Sequence, residues 1–177
     1  MAGGAGALTG VGRGQSHGPS IGGYSGPMAG IELMSSAFHD SAPIPPRYTL
    51  DGENLSPPLT WSRPPAGTEE LVLMCEDPDA PSGTFLHWLV TGIDPDSDGV
   101  ATGRVPPGGT QHRNGMGDEG WDGPRPPVGD PAHRYFFRLF ALPEPVRFPE
   151  RASADEVHRA LGRRQLASGT LMGLHQR

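Results

Sequence analysis

The sequence predicts a single domain that is mostly β with a few helices. Three observations favour this fold class. Apolar runs rich in aromatic and β-branched residues recur along the chain, as expected for strands buried in a core. The 27 Gly and 21 Pro among the 177 residues separate these runs and are typical of turns. A helical pattern is evident in one segment, near the carboxyl terminus.

Three apolar runs predict the central strands of an antiparallel sheet. They cover residues 71–77, 84–93 and 133–142. Because side chains alternate across a strand, His133 and Tyr135 are expected to be neighbours on one face of the third strand. Arg134 and Arg138 then lie on the opposite face. That face is expected to be solvated or salt-bridged, with a homodimer interface as the alternative.

The remaining segments predict turns, one helix and a last strand. Residues 44–61 predict two short extended pieces around a polar turn, because their prolines are incompatible with a helix. Residues 94–132 contain most of the turn residues and predict a long loop. The capping-box pattern Ser153-Ala154-Asp155-Glu156 predicts a helix over residues 153–164. Residues 165–174 predict a last short strand.

The amino-terminal segment differs in composition from the rest of the chain. Residues 1–30 contain 11 Gly and 2 Pro and almost no large apolar side chain. Such a segment buries too little apolar surface to offset the entropy lost on ordering. We therefore expect a flexible Gly-rich tail over residues 1–30 and a folded domain over residues 31–177.

Charge and cysteine content exclude several kinds of partner. The chain has 14 Arg and no Lys against 20 acidic residues, a formal net charge of −6. It lacks the basic stripe that would neutralise successive phosphates, so nucleic acid is not an expected partner. No apolar run approaches the roughly 18 residues of a transmembrane helix. The first 30 residues do not resemble a secretory signal, and the single Cys75 fits a reducing compartment, so we expect a cytoplasmic protein.

Four polar residues lie where apolar strands meet loops. Asp77 and Asp79 follow the first predicted strand, His87 lies inside the second, and His133 begins the third. Taken singly, each is more typical of a structural role: a hydrogen-bonded core histidine, or an aspartate in a turn. Their combination with a proline loop favours a functional site instead.

The segments that carry this combination resemble the phosphatidylethanolamine-binding protein (PEBP) family in its bacterial, Raf-kinase-inhibitor-like branch. The resemblance covers about residues 37–175. The matching segments are Ile44-Pro45, Arg47-Tyr48, Asp51-Gly52-Glu53-Asn54, Ser56-Pro57-Pro58-Leu59 with Trp61, Pro65-Ala66-Gly67-Thr68, Glu76-Asp77-Pro78-Asp79-Ala80-Pro81, His87-Trp88, Asn114-Gly115 through Gly123-Pro124, Pro126-Pro127 and His133-Arg134-Tyr135.

The resemblance implies two packed antiparallel β-sheets, a short helix near the carboxyl terminus and a small pocket at one end. In the family this pocket binds phosphate-like anions, including phospholipid head groups. The walls implied for this chain are Asp77, Asp79, Pro81, His87, Pro126, Pro127, His133 and Tyr135. Bacterial relatives often have Cys where Leu50 and Arg125 stand here. Arg125 makes the expected pocket more cationic, which either tightens anion binding or blocks the mouth.

We therefore predict a small-molecule-binding protein for a phosphate-like or other small anion, without metal or cofactor. We expect Asp77 to fix the tautomer of His87, while His133 and Tyr135 donate hydrogen bonds to the anion. The loop residues expected to border the pocket are Trp121, Gly123, Pro124, Arg125, Pro126 and Pro127. If charged imidazoles are required, anion affinity rises as the pH falls from about 8 to about 6.

Other functions remain open at this point. The main alternative is a metabolite enzyme that uses Asp77, His87 and His133 for acid–base cyclisation or isomerisation. A metal site is less favoured because the histidines lie 46 residues apart without a ligand-spacing motif. Covalent catalysis by Cys75 is also less favoured, since a cysteine in an apolar run is usually a buried hydrophobe. A kinase-inhibitor-like partner role rests on fold analogy alone.

Overall fold

The computed structural model describes residues 3–4 and 29–177. Most of the predicted tail thus lies outside the described residues, and the described domain begins at a short strand, Ala29–Gly30. In the described part of the chain, the strands are β1 Ala29–Gly30, β2 Leu33–Met34, β3 Ala42–Pro43, β4 Leu59–Trp61, β5 Glu70–Asp77, β6 Phe85–Ile93, β7 Gly99–Val100, β8 Thr110–Gln111, β9 His133–Leu142 and β10 Ala167–His175. The α-helix is α1 Ala154–Leu161, and a 3-10 turn covers Pro46–Tyr48.

The larger of two sheets has the strand order β1-β10-β9-β5-β6-β8, with β3 also paired to β10. The pairs among β10, β9, β5, β6 and β8 are antiparallel, as the sequence predicts. The two short strands β1 and β3 instead pair with β10 in parallel. They do so because the chain leaves the edge of β10 after β1, contributes β2 to the other sheet, and returns to the same edge in the same direction.

The smaller sheet has the order β2-β4-β7 and packs against one face of the larger sheet. The core between them combines Leu59 and Trp61 from the smaller sheet with Trp88, Phe137 and Leu139 from the larger one. These side chains are at most 4% exposed. The expected mostly β fold with two packed sheets is therefore confirmed.

The other face of the larger sheet is covered by α1. Val157 and Leu161 of the helix pack in one apolar cluster with Met74, Leu89 and Phe140 of the sheet. The predicted capping box is present: the Ser153 side chain accepts from the backbone N–H of Glu156, whose carboxylate accepts from the Ser153 N–H. The helix is shorter than the predicted 153–164 because Gly162 ends it.

The three central strands are confirmed with shifts of at most one residue at their ends. Two details differ from the sequence prediction. The first extended piece of 44–61 contains the 3-10 turn Pro46–Tyr48, since a proline at its start presets a helical φ. The long loop of 94–132 contains β7 and β8, whose two-residue length is below what periodicity detects.

Candidate ligand-binding site

The three central strands bring their polar ends together. Antiparallel pairing sets the last residue of β5, Asp77, beside the first residues of β6 and β9. His87 of β6 and His133 and Tyr135 of β9 thus meet Asp77 at one end of the sheet, around a cavity of about 280 Å³. The cavity is lined by Leu50, Asp77, Ala80, Pro81, Ser82, Phe85, His87, Met116, Asp122, Gly123, Arg125, Pro126, Pro127, His133 and Tyr135.

Asp77 and His133 form a buried ion pair at this cavity. His133 Nδ1 lies 2.8 Å from Asp77 Oδ2, and both side chains are at most 6% exposed. The second carboxylate oxygen of Asp77 accepts from the backbone N–H of Asp79 at 2.8 Å. Burial opposes protonation of His133, but the hydrogen bond and charge of Asp77 outweigh it and raise the pKa of the imidazole.

His87 is held in a different way from the one expected. Its Nδ1 lies 2.6 Å from the carbonyl oxygen of Asp122. A carbonyl only accepts, so Nδ1 carries a proton, and in the neutral ring Nε2 is the acceptor. Burial, opposed by the Asp122 carbonyl, lowers the pKa of His87. The prediction that Asp77 fixes the tautomer of His87 is wrong: a backbone carbonyl fixes it, and Asp77 partners His133.

Tyr135 contributes a buried hydroxyl to the cavity. Its side chain is 1% exposed and meets the His87 ring edge-on at a centroid distance of 5.2 Å. Burial, together with the charge of Asp77, raises the pKa of Tyr135 well above its usual value. The hydroxyl therefore keeps its proton and is a donor at physiological pH.

The proline loop is anchored from outside the cavity. Asn54 accepts from the backbone N–H of Gly123 through Oδ1 at 2.8 Å and donates to the carboxylate of Asp122 at 3.2 Å. Asn114 donates to the other carboxylate oxygen of Asp122 at 3.0 Å. Gly123 is required at this point, because a Cβ there would lie 2.9 Å from the Cα of Thr49. The loop is thus fixed on its outer side, and its inner side faces the cavity.

The model of the family "Phosphatidylethanolamine-binding protein" matches residues 34–176. The chain belongs to the phosphatidylethanolamine-binding protein family. A UPF0098 protein from Methanothermobacter thermautotrophicus is 43% identical over 152 residues, which cover 83% of this chain and 99% of the relative. A Mycobacterium tuberculosis protein named "Putative lipoprotein LppC" is 43% identical over 139 residues, 78% of this chain and 68% of the relative.

Two solved structures share this PEBP fold. A PEBP homologue from Chlamydia trachomatis has a TM-score of 0.74 and 33% sequence identity, covering 84% of this chain and 98% of its own. YbcL from Escherichia coli, a member of the mammalian PEBP family, has a TM-score of 0.77 and 26% identity, covering 84% of this chain and 99% of its own. The similarity therefore extends over almost the whole length of both neighbours.

Three of the site residues expected for this PEBP are not among the residues that line the cavity. Asp79 turns outward and pairs with Arg134, Oδ1 to Nη2, at 2.8 Å, and this ion pair lowers the pKa of Asp79 to about 2. Pro124 uses its carbonyl to accept from the backbone of Leu50. Trp121 stacks on Phe137 in the core, at a centroid distance of 5.8 Å, rather than at the mouth. The prediction of a mouth tryptophan is wrong because the aromatic core takes up its ring.

The cavity also involves residues that the sequence reasoning did not single out. They are Asp122, which lines the cavity and orients His87, and Asp130, which is not a lining residue but lies 3.4 Å from Nε2 of the lining residue His133. Asp122 directly precedes the Gly123-Pro124 segment, so its position in the motif was the available signal. Nothing in the local pattern distinguishes Asp130 from an ordinary turn aspartate in Gly129-Asp130-Pro131.

The structure also bears on the two alternative sites, a metal site and a nucleophilic Cys75. Within the residues that the structure describes, no group of three or more His, Cys, Asp or Glu side chains is arranged to hold a metal ion. Cys75 is fully buried, and burial followed by the charges of Glu76 and Asp77 raises the pKa of its thiol. Such a thiol is a poor nucleophile.

Two further expectations concern the surface. Arg134 and Arg138 both have partners within the chain: Asp79 for the first, and Glu76, at 2.7 Å, for the second. This agrees with a salt-bridged sheet face. Among the described residues, no helix has the length and apolar character needed to cross a membrane.

Proposed function

We propose that this PEBP binds a small anion of the phosphate type in the cavity at the ends of β5, β6 and β9. One observation carries the proposal. Two polar atoms of cavity residues, Nε2 of His87 and the hydroxyl oxygen of Tyr135, have no hydrogen-bond partner among the described residues. Neither atom belongs to the fully enclosed unpaired side-chain atoms of the described residues, so both are open to the cavity. A small anion bound there would give each of them a hydrogen-bond partner.

The protonation states of these two groups favour a ligand that carries a negative charge and also one proton. The Tyr135 hydroxyl donates to an anionic oxygen, whereas neutral His87 accepts at Nε2. A singly protonated phosphate group offers both partners: a charged oxygen and a P–OH. The charge of Asp77 does not repel such a ligand strongly, because His133 neutralises it.

The rim adds an attractive charge. Arg125 lines the cavity, its side chain is 58% exposed, and its Nε lies 3.5 Å from Asp51 Oδ1. The exposed guanidinium retains donors that the single contact with Asp51 does not use. We therefore assign Arg125 the role of attracting the anion to the mouth rather than blocking it. Replacing Arg125 with Gln is expected to weaken binding and to reduce its salt dependence.

Titration with inorganic phosphate by isothermal calorimetry tests the proposal. We expect affinity to rise as the pH falls from about 8 to about 6, because more of the phosphate then carries the single proton that neutral His87 accepts at Nε2. Tyr135→Phe removes only the donor and is expected to weaken binding about tenfold or more. The matched control is Tyr48→Phe, a buried tyrosine that is not among the lining residues, which is expected to bind as the unaltered protein does.

His87→Asn separates the two nitrogens of the imidazole. The Asn amide takes over the donation to the Asp122 carbonyl but offers nothing at the position of Nε2. We expect weaker phosphate binding with little dependence on pH between 6 and 8. Binding that stays independent of pH in the unaltered protein, or that is unaffected by both Tyr135→Phe and His87→Asn, would refute the proposed site.

A second candidate function is acid–base catalysis on a metabolite. The observation that favours it is the lowered pKa of His87, which keeps the imidazole neutral so that the unpaired Nε2 can take up a proton, with Tyr135 beside it as a hydrogen-bond donor. Cyclisation or isomerisation by proton transfer needs this kind of pair. Turnover of a bound metabolite that His87→Asn abolishes, with its binding retained, would favour the enzyme over the binding protein.

We also propose that the protein acts in the cytoplasm. The buried, unpaired Cys75 fits a reducing compartment, while a relative named a lipoprotein makes the cell envelope the competing location. Cell fractionation followed by immunodetection distinguishes the two. Recovery in the membrane or envelope fraction would contradict the cytoplasmic assignment.

A further inference from the structure

The imidazole of His133 contacts a carboxylate at each of its two ring nitrogens. Nδ1 of His133 is bound to Asp77, and Nε2 lies 3.4 Å from Oδ2 of Asp130. The two carboxylates differ in their surroundings. The side chain of Asp77 is 5% exposed, whereas that of Asp130 is 42% exposed. Asp77 is therefore a fixed partner, and Asp130 is a long contact from the solvent side.

The backbone around Asp130 is anchored independently of its carboxylate. The Asp130 N–H donates to the carbonyl of Pro127, and the Asp130 carbonyl accepts from the side chain of Gln176 at 3.0 Å. The preceding Gly129 donates to the carbonyl of Arg177. The carboxylate itself has no other hydrogen-bond partner among the described residues than His133. It can turn into solvent without breaking any of the backbone contacts.

We propose that Asp130 determines the specificity of this site through His133: it is not itself a lining residue, but it is an internal anion on Nε2 of the lining residue His133, and a ligand must displace it to reach that atom. The inference rests on the anion-binding function proposed above. Its consequence follows from the local charges. One imidazole lies between two carboxylates, so the cluster of Asp77, His133 and Asp130 remains negative even when His133 is protonated. Each additional negative charge on the ligand is then penalised, and singly charged anions are favoured over doubly charged ones.

The groups around His133 decide how such an anion is received. Those from each neighbouring element are Asp77 of β5, Asp79 after it, His87 of β6, Arg134 of β9, His175 of β10 and Asp130 of the proline loop. Asp79 and Arg134 neutralise each other, and His87 is held largely neutral by burial. His175 lies opposite His133 in the strand register, and burial lowers its pKa too. Among the described residues, the carboxylates other than Asp77 without a permanently charged partner at this end of the sheet are thus Asp130 and Asp122, and the Asp122 oxygens are held by the amides of Asn54 and Asn114.

Phosphate and sulfate provide the test, because they have the same tetrahedral shape. At pH 6 phosphate is mainly singly charged and sulfate is doubly charged. Asp130→Asn is expected to raise sulfate affinity about tenfold and phosphate affinity by less, so that the preference for phosphate narrows. Imidazole resonances followed by NMR are expected to show that His133 titrates at a lower pH in the variant. Asp155→Asn removes the same charge from the exposed first turn of α1, where no described residue lines the cavity or hydrogen-bonds to His133, and is the matched control.

The possible outcomes separate the two proposals. If the unaltered protein binds phosphate and Asp130→Asn leaves both affinities unchanged, or raises them by the same factor, the role of Asp130 is refuted and the site stands. If neither protein binds either anion, the proposed function fails and this inference fails with it. Sulfate binding gained only by the variant supports the inference. Asp130→Ala provides the same comparison if the amide of Asp130→Asn makes a new contact with His133.

Discussion

Replacing Asp77 with Asn tests the electrostatics of the site through folding stability, without any ligand. The substitution keeps the shape of the side chain and the oxygen that accepts from the Asp79 N–H. It removes the charge that faces His133 Nδ1 across 2.8 Å. Because both side chains are almost fully buried, the imidazolium of His133 then keeps only its long contact with Asp130.

The expected cost of Asp77→Asn depends on pH with a definite sign. The pKa of His133 is raised in the folded protein, so the ion pair stabilises fully below the unfolded value of about 6.5 and is lost as the pH rises through the folded value. At pH 5.5 the loss is about 3 kcal/mol, the lower end for breaking a buried pair. Above the folded pKa, neutral His133 can exchange a hydrogen bond with the Asn amide, and the loss falls to about 1 kcal/mol.

Urea unfolding of the unaltered protein and Asp77→Asn at pH 5.5, 6.5, 7.5 and 8.5 measures this difference. The histidines with a lowered pKa, which are His87, His112 and His175, contribute the opposite slope, but they do so in both proteins and largely cancel. Asp79→Asn, in the same loop, is the control. Its carboxyl has a pKa of about 2 and pairs at the surface, so its cost is at most about 1 kcal/mol and flat over this range. A difference for Asp77→Asn that is flat, or that grows with pH, would refute the reasoning.

Three further predictions concern the loop, the helix and the thiol. Gly123→Ala is expected to lower the free energy of unfolding by about 2 kcal/mol and to abolish phosphate binding, because its Cβ would meet the backbone of Tyr48 and Thr49. Urea unfolding measures the first effect and calorimetry the second. The control is Gly30→Ala, whose Cβ would have open space around it. Ser153→Ala removes the capping box and is expected to lower the free energy of unfolding by about 1 kcal/mol; no change in the urea midpoint would contradict this. Cys75 is expected to react with a thiol reagent only after unfolding, as followed by absorbance, so rapid labelling of the native protein would contradict its burial.

The strands of this domain were predictable because each carries its own signal. The run 133–142 alternates between the two faces of the sheet, and the structure places Tyr135, Phe137 and Leu139 in one core cluster and Phe140 in the other. Short elements carry no such signal. The parallel pairing of β1 and β3 with β10 depends on two-residue strands whose partners lie more than 130 residues away in sequence.

Within the site, residue types were predictable but partners were not. Asp77, His87 and His133 were each expected at the cavity, and the structure brings them to one end of the sheet. Since β5 lies between β6 and β9, the strand order brings both histidines near Asp77, and only the side-chain contacts identify His133 as the partner. The tautomer of His87 depends on the carbonyl of Asp122, and every residue has a carbonyl, so no side-chain pattern could reveal it.

The sequence alone determined where the central strands lie, which side chains share a face and which family the chain resembles. Both signals, the alternation of apolar side chains and the short motifs, are local properties of the chain. Only the tertiary structure decided which acid neutralises which imidazole, that Trp121 packs in the core, and that Asp130 contacts His133. Hydrogen bonds and ion pairs act over about 3 Å. Residues separated by 56 positions in sequence, such as Asp77 and His133, come within that distance only when the whole sheet has formed.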